Sequence, residues 1–323
     1  MDKMDKKRIL VCGAGGFIGS HLARELHNQG HYVRVVDQKW DGYLPEPYFS
    51  DRITGDLRDY GTAYSAARSM DWIFQLAADM GGIGYITEKA ADIVYNSSLI
   101  NLNMVQAAKH CNARIFYASS ACVYPNYKQE DANVKPLAES DAMPADPNEA
   151  YGWEKLFSEI VYQSFARDYG LDIRIARFHN IYGQEGTYEG GREKAPAALC
   201  RKVALAEDGG EIEVWGDGLA TRSFCYINDC VRGVIALMRS DWTEPINIGS
   251  DRLISVDDLA ELAIAASGKR ITLRHDVSKP QGVRGRNADL TLVKKVLNWE
   301  PVIGLELGMD MTYQWIAKQV KAK

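Results

Sequence analysis

The 323-residue chain contains no apolar run approaching the roughly 18–20 residues that a membrane-spanning helix needs. It also lacks an excess of positive charge. Its 38 Lys and Arg stand against 43 Asp and Glu, a formal net charge of −5. Neither nucleic acid nor a membrane surface is therefore an expected partner. Cysteine is sparse: Cys12, Cys111, Cys122, Cys200, Cys225 and Cys230 are the whole set, and none forms a Cys-x-x-Cys pair. That argues against zinc ribbons and disulfide scaffolds, leaves no metal site in prospect, and favours a reducing cytoplasm. Residues 1–8, with four charged side chains before Lys7-Arg8 and no apolar core among them, do not read as a secretory signal.

What is present is ordinary globular material, 46% hydrophobic and 25% charged. At roughly 150 residues per domain the length suits two domains or one large one. Short β-branched runs at residues 8–12, 32–36, 72–76, 114–117 and 173–176 alternate with helical patterns at 17–29, 58–68, 93–109 and 151–169. Such alternation implies parallel crossovers, so the expected fold is α/β, a Rossmann-type doubly wound parallel sheet. Beyond residue 178 Gly, Pro and charge become frequent. Helices are expected there at 193–207, 228–238, 255–266 and 303–318, with strands at 211–215 and 271–275. Residues 1–178 thus read as a dinucleotide-binding domain and 179–323 as a smaller α/β substrate domain, with segments near 223–248 returning to the first.

Gly13-Ala14-Gly15-Gly16-Phe17-Ile18-Gly19 follows the first strand and opens the first helix. Gly13 suits a tight turn, Gly16 a close approach to pyrophosphate, and Gly19 close helix–strand packing. The helix start at Phe17 and Ile18 offers unpaired N–H groups to phosphate. Asp37, ending the second strand, can bond both adenosine ribose hydroxyls and would repel a 2′-phosphate, which selects NAD over NADP. Asp56-Leu57, after a third short strand, are placed to meet the adenine.

Tyr151-Gly152-Trp153-Glu154-Lys155 sets Tyr and Lys one helical turn apart. A Lys ammonium beside the phenol is expected to lower its pKa from about 10, so that Tyr151 accepts a hydroxyl proton. Lys155 can also bond the nicotinamide ribose. Ser120 stands just past the end of a central strand, within Tyr117-Ala118-Ser119-Ser120-Ala121-Cys122, where it can bond the reacting oxygen.

Glycine loop, strand-end Ser and Tyr-x-x-x-Lys, in this order, resemble the extended short-chain dehydrogenase/reductase superfamily. The resemblance implies reversible oxidation of a sugar C4 hydroxyl, and a homodimer paired through helices 93–109 and 151–169. A 4-keto sugar is acidic at C3 and C5. The superfamily's dehydratases carry an Asp–Glu pair where this chain has Ala121-Cys122, so dehydration is not expected. A thiol at Cys122 could act as base over one sugar face if cations favour its thiolate. Lys194, in Gly190-Gly191-Arg192-Glu193-Lys194-Ala195-Pro196, could supply the acid on the other. Taken singly, Cys122 reads equally as a small core hydrophobe and Lys194 as a solvated lysine.

These two segments, with Ala77–Gly82, Arg177–Gly183, Trp215–Gly218, Thr221–Phe224 and Gly282–Asn287, look like the GDP-mannose 3,5-epimerase family over residues 8 to 318. What the resemblance implies is Cys122 as base, Lys194 as acid, and Tyr151 with Lys155 for the redox steps, supported by Ser120. Gly81 and Gly82 would admit the sugar to the backbone, and Asn180, Arg222 and Arg286 would hold the nucleotide diphosphate. His179 is left without a role. Tyr188-Glu189 and Met143 depart from the family pattern in segments expected to line the pocket, so another nucleotide sugar, such as a GDP-heptose, stays open. So do a 4-epimerase or 4-dehydrogenase and, in a different class, a non-catalytic NAD-binding regulator.

Overall fold

The computed structural model of the protein describes residues 6–40, 44–279 and 282–323; residues 1–5, read above for signal character, lie outside them. In chain order the elements are β1 (Arg8–Cys12), α1 (Phe17–Asn28), β2 (Tyr32–Asp37), β3 (Asp51–Thr54), α2 (Tyr60–Ala67), β4 (Trp72–Gln75), α3 (Ile83–Glu88), α4 (Ala90–Cys111) and β5 (Arg114–Ser120). Then follow α5 (Ala150–Tyr169), β6 (Ile173–Phe178), β7 (Ile181–Tyr182), α6 (Ala195–Leu205), β8 (Glu211–Trp215), β9 (Thr221–Ser223), β10 (Cys225–Tyr226), α7 (Ile227–Arg239) and β11 (Ile246–Ile248). The chain closes with β12 (Leu253–Ser255), α8 (Val256–Ser267), β13 (Thr272–Asp276), β14 (Gly285–Arg286), α9 (Thr291–Leu297) and α10 (Leu305–Lys321).

Seven strands form one parallel sheet in the order β3-β2-β1-β4-β5-β6-β11, a Rossmann-type arrangement. The continuous apolar run of β1 follows from helices covering both sheet faces. Its alternate side chains enter different cores. Ile9 and Val11 pack with Leu22 and Leu26 of α1, whereas Leu10 and Cys12 pack with Met104 and Val105 of α4. The core that holds Ile9 continues through α7 to Val203, Ile212, Leu259 and Ile316. Sheet and C-terminal segment therefore share one apolar interior. α7 and β11 belong to the sheet side, since β11 extends it beside β6.

The short strands β7, β9, β10, β12 and β14 span two or three residues, too few to leave a period in the sequence. α3 and α9 have six and seven residues and were equally illegible. All seven parallel strands point their C-terminal ends the same way, and the segments after β1, β4, β5 and β6 meet there.

Beneath that edge lies a buried ion pair. Arg177 of β6 donates to Glu159 of α5 at 3.0 and 2.8 Å, and to the Glu139 carbonyl at 2.7 Å. Ser119 of β5 donates to the same carboxylate. Removing one member of such a pair strands the other charge in the interior. We predict that Arg177→Met lowers stability by about 3–5 kcal/mol, and that the double variant with Glu159→Met loses less. Urea denaturation showing equal losses for both would refute this.

Candidate active site

The cofactor cradle is built by β1, α1 and β2. Gly13 has φ +77°, and a Cβ there would lie 2.8 Å from the Ala77 nitrogen. Gly15, overlooked in the sequence, is equally constrained: a Cβ would stand 2.1 Å from the Lys39 carbonyl. Its N–H donates to Asp37 Oδ2 at 3.0 Å while Lys39 N–H donates to Oδ1 at 3.2 Å. Two backbone donors thus orient the Asp37 carboxylate at the end of β2. No side chain caps α1 after Gly16, so the N–H groups at Phe17 and Ile18 face the loop without a capping partner. Gly19 lets the helix approach, since its Cβ would meet the Gly13 carbonyl at 2.1 Å. Beyond β3, Asp56 accepts from Arg58 Nε at 3.0 and 2.9 Å, and this pairing holds its carboxyl below the usual range. Leu57 beside it is buried. These residues fit an NAD molecule.

Ser120 ends β5 in extended backbone, and its Oγ accepts the Cys122 N–H at 3.2 Å in a single 3₁₀ turn, Ala121–Val123. α5 brings Tyr151 against this turn, and Gly152 makes the approach possible. A Cβ there would lie 2.2 Å from the Cys122 carbonyl. Tyr151 packs with Ile86, Ile93, Met80, Tyr85 and Cys122. One helical turn on, Lys155 donates to the Ala118 carbonyl at 3.2 Å, with its ammonium 3.9 Å from buried Glu154. Burial depresses Lys155, opposed by the Glu154 charge.

The expected lowering of Tyr151 by Lys155 is not what this arrangement produces. Burial first, then the negative charge at Cys122, push the phenol up, against the pull of the Ser120 hydrogen bond and Arg286. Lys155 is itself buried and spends a donor on Ala118, which limits its leverage on the phenol.

Cys122 behaves in the opposite sense. Burial alone would raise its thiol, but Arg286, the Ser120 hydroxyl and Lys194 outweigh it, and the thiol falls below its ordinary value. Arg286 Nη1 lies 3.3 Å from Sγ. The guanidinium is aimed by Gln129, whose Oε1 accepts Arg286 Nε at 2.5 Å. Gln129 is buried and donates to the Tyr124 and Pro125 carbonyls at 3.0 and 3.1 Å, which fixes its amide. Arg286 therefore has a part in the thiol's chemistry that its motif did not suggest. The other five cysteines all move upward through burial, Cys200 to about 12.

Lys194 precedes α6 as its N-cap, and its side chain is solvent-accessible in the cleft. The surrounding protein still depresses its ammonium, against the favourable charge of Cys122. Arg222 donates to the Thr221 carbonyl at 2.7 Å and to that of Val283, and lies close enough to Arg286 to feel its charge. Asn180, with φ +44°, donates to the Ser223 carbonyl at 2.8 Å and ties β6 to β9. His179 is fully buried, shares a 2.9 Å contact with Asn247 and is driven down to about 3 by burial, so it stays neutral and structural.

Two expectations about the pocket need correction. The space over Gly81 is filled by the Tyr85 ring, and Gly82 is closed upon by the Glu193 carbonyl, 2.6 Å from a Cβ placed there. Tyr188 and Glu189 are turned toward α10 instead of the cleft. Tyr188 is buried edge-on against Trp315, with centroids 5.5 Å apart, and Glu189 pairs with Lys323. Met143 is exposed.

Comparison with known proteins agrees with this geometry. Residues 9–249 match the model of the NAD dependent epimerase/dehydratase family. GDP-mannose 3,5-epimerase 1 of Oryza sativa subsp. indica is 47% identical over 319 residues, covering 98% of this chain and 83% of that protein. GDP-mannose 3,5-epimerase of Arabidopsis thaliana is 46% identical over 316 residues, covering 97% and 83%. A crystal structure of UDP-glucose 4-epimerase with UDP-glucose from Thermotoga maritima superposes with a TM-score of 0.86 at 26% identity, covering 97% and 99%.

The contact between Arg286 and Cys122 generates a prediction that needs no substrate. Mass-mapped alkylation should find Cys122 more reactive at neutral pH than the other cysteines. Arg286→Met should slow it about tenfold or more, one unit of thiol pKa being a tenfold change in thiolate. A rate at Cys122 that ignores this substitution would remove the guanidinium from the account.

Proposed function

The chain belongs to the NAD-dependent epimerase/dehydratase family and, within it, to the GDP-mannose 3,5-epimerases, and on that premise we propose that it inverts C5 and C3 of GDP-mannose through a 4-keto sugar. The products are GDP-L-galactose and the C5 epimer GDP-L-gulose. The observation that carries the reading is Cys122, a thiol held low by Arg286 and sharing a small cluster with Tyr151.

NAD, held by the Gly13–Gly19 loop and Asp37, would supply the acceptor and donor of the hydride at sugar C4 and a positive charge favouring the Tyr151 phenolate. Tyr151 takes the C4 hydroxyl proton, with Ser120 donating to the same oxygen. Protonation of Tyr151 removes a negative charge beside Cys122, so the thiolate is favoured as the ketone forms. Cys122 then takes the C5 proton, acidified by the carbonyl, while the Ser120 and Tyr151 hydroxyls support the enolate oxygen. Lys194 delivers a proton to the opposite face, which inverts the centre; the same pair serves C3 once Cys122 has released its proton to solvent and Lys194 has regained one. Tyr151 finally returns its proton to the C4 oxygen. Asn180 and Arg222 are assigned to the nucleotide sugar. The pocket departures at Tyr188 and Glu189 are met by α10, which supports the GDP-mannose reading over a heptose.

We also assign a homodimer formed through α4 and α5. Trp153, Phe157 and Ile160 are 49%, 47% and 49% exposed on one stripe of α5, and Leu102 of α4 is exposed as well. A thiolate base has to stay reduced, which supports the cytoplasm as its location. Phe157→Glu should yield a monomer in sedimentation; an unchanged mass would remove α5 from the interface.

In deuterium oxide the enzyme should place solvent deuterium at C5 and C3 of GDP-mannose, read by proton NMR. Cys122→Ala should lose this exchange by about 10²–10⁴-fold, the usual worth of a positioned base, yet still reduce bound NAD on adding substrate. Deuterium entering at the normal rate in that variant would defeat the assignment. Turnover without any exchange at C3 or C5 would instead indicate a 4-epimerase or 4-dehydrogenase.

A further inference from the structure

The mechanism above requires Lys194 to hold its place opposite Cys122, although it sits at the end of a glycine-bearing loop with its own side chain exposed. The residue two places before it supplies the means. The Arg192 guanidinium lies 3.8 Å over the Tyr85 ring of α3, donates to the Tyr85 hydroxyl at 2.5 Å, and stands 3.8 Å from Asp79. Tyr85 in turn donates to Asp79 Oδ1 at 2.8 Å. Asp79 is anchored from behind: Asn96 donates to its Oδ2 at 3.1 Å, and Arg58 donates to Asn96 at 2.7 Å.

The backbones close as well. Gly82 N–H donates to the Arg192 carbonyl at 3.1 Å, and the Glu193 carbonyl rests where any side chain at Gly82 would have to go. Beyond Lys194 the chain enters α6 at once, with Ala198 N–H donating to the Lys194 carbonyl at 2.9 Å. Lys194 is therefore fixed on one side by a helix and on the other by these contacts. Tyr85 also belongs to the small cluster that includes Tyr151 and Cys122. Tyr85 thus links the loop bearing the acid to the apolar cluster against which Cys122 also packs.

We propose that Asp79, Tyr85 and Arg192 form a latch that positions Lys194 for protonation of the sugar face opposite Cys122. The inference rests on the epimerase reading and extends it. The three are positioning residues: they act through where they hold Lys194, with no proton of their own in the reaction.

The latch has a distinctive consequence. Once Cys122 has taken the C5 proton, the enolate can be reprotonated by Cys122 on the original face or by Lys194 on the other. In deuterium oxide, once the Cys122 thiol has exchanged the abstracted proton with solvent, the first route gives deuterated starting material and the second gives inverted product. Loosening the latch should leave proton removal intact and shift this partition toward retention. Arg192→Ala is expected to raise the ratio of deuterated GDP-mannose to inverted product about ten- to a hundredfold, the scale on which a misplaced group loses catalysis. Its KM and the pH profile of Cys122 alkylation should stay at the wild-type values. Arg192→Lys, which keeps a charge beside Asp79, should recover part of the loss, and Tyr85→Phe, which keeps the ring and drops the hydroxyl, should fall between.

The Arg192 side chain is 48% exposed, so circular dichroism melting is expected to stay close to the wild type. An unchanged partition in Arg192→Ala overturns the latch. So does a loss confined to KM, which would make Arg192 a substrate contact. If the wild type itself shows no exchange at C5, the epimerase reading fails instead, and the two failures cannot be confused.

Discussion

The site turns on one contact, the guanidinium of Arg286 on the sulfur of Cys122. A half-buried thiol surrounded by protein would ordinarily stay protonated, as the other five cysteines here do. A fixed positive charge at hydrogen-bond distance reverses that balance, and the Ser120 hydroxyl and Lys194 add to it. The contact is only as good as its aim. Gln129 is locked by two backbone carbonyls and locks Arg286 in turn, so the cation cannot drift from the sulfur.

Much of the architecture serves to bring that contact beside the redox machinery. Arg286 comes from β14 in the C-terminal segment, and Cys122 from the end of β5 in the sheet. Tyr151 and Lys155 come from α5. The shared apolar interior holds the two regions together, and Gly152 lets α5 settle directly on the Cys122 carbonyl. Below, the Arg177–Glu159 pair ties β6 and α5 to Ser119, one residue before the strand-end serine. The two proton acceptors are close enough to oppose each other's ionisation, so the negative charge is favoured on one at a time. The order of proton transfers then follows from electrostatics: the phenolate is consumed as the ketone forms, and the thiolate acts afterwards.

Legibility in the sequence followed the range of the interaction involved. Long periodic elements, β1, α1, α4 and α5 among them, were readable because each buries a regular face. Gly13, Asp37, Tyr151 and Lys155 were readable because their spacing lies within one turn or one strand–loop–helix unit. Gly15 and Gly152 carried no such signal, since what forbids a side chain there is the Lys39 carbonyl in one case and the Cys122 carbonyl in the other. Arg286 and Cys122 are far apart in the chain, and their pairing could not be inferred from either segment alone. The same distance hid the partners of Tyr188 and Glu189, which α10 supplies from the end of the chain. The phenol's upward shift was missed because helical spacing reports the Lys155 charge and says nothing of burial.

The central claim is that a thiolate at Cys122, sustained by Arg286, removes the sugar proton. It is tested most directly by titrating the thiolate's ultraviolet absorbance, as the difference between wild type and Cys122→Ser, alongside the pH dependence of solvent-deuterium entry at C5. The account predicts that both curves inflect together, at a pH below that of an ordinary cysteine thiol. Exchange that runs at full rate where Cys122 is still protonated would contradict it.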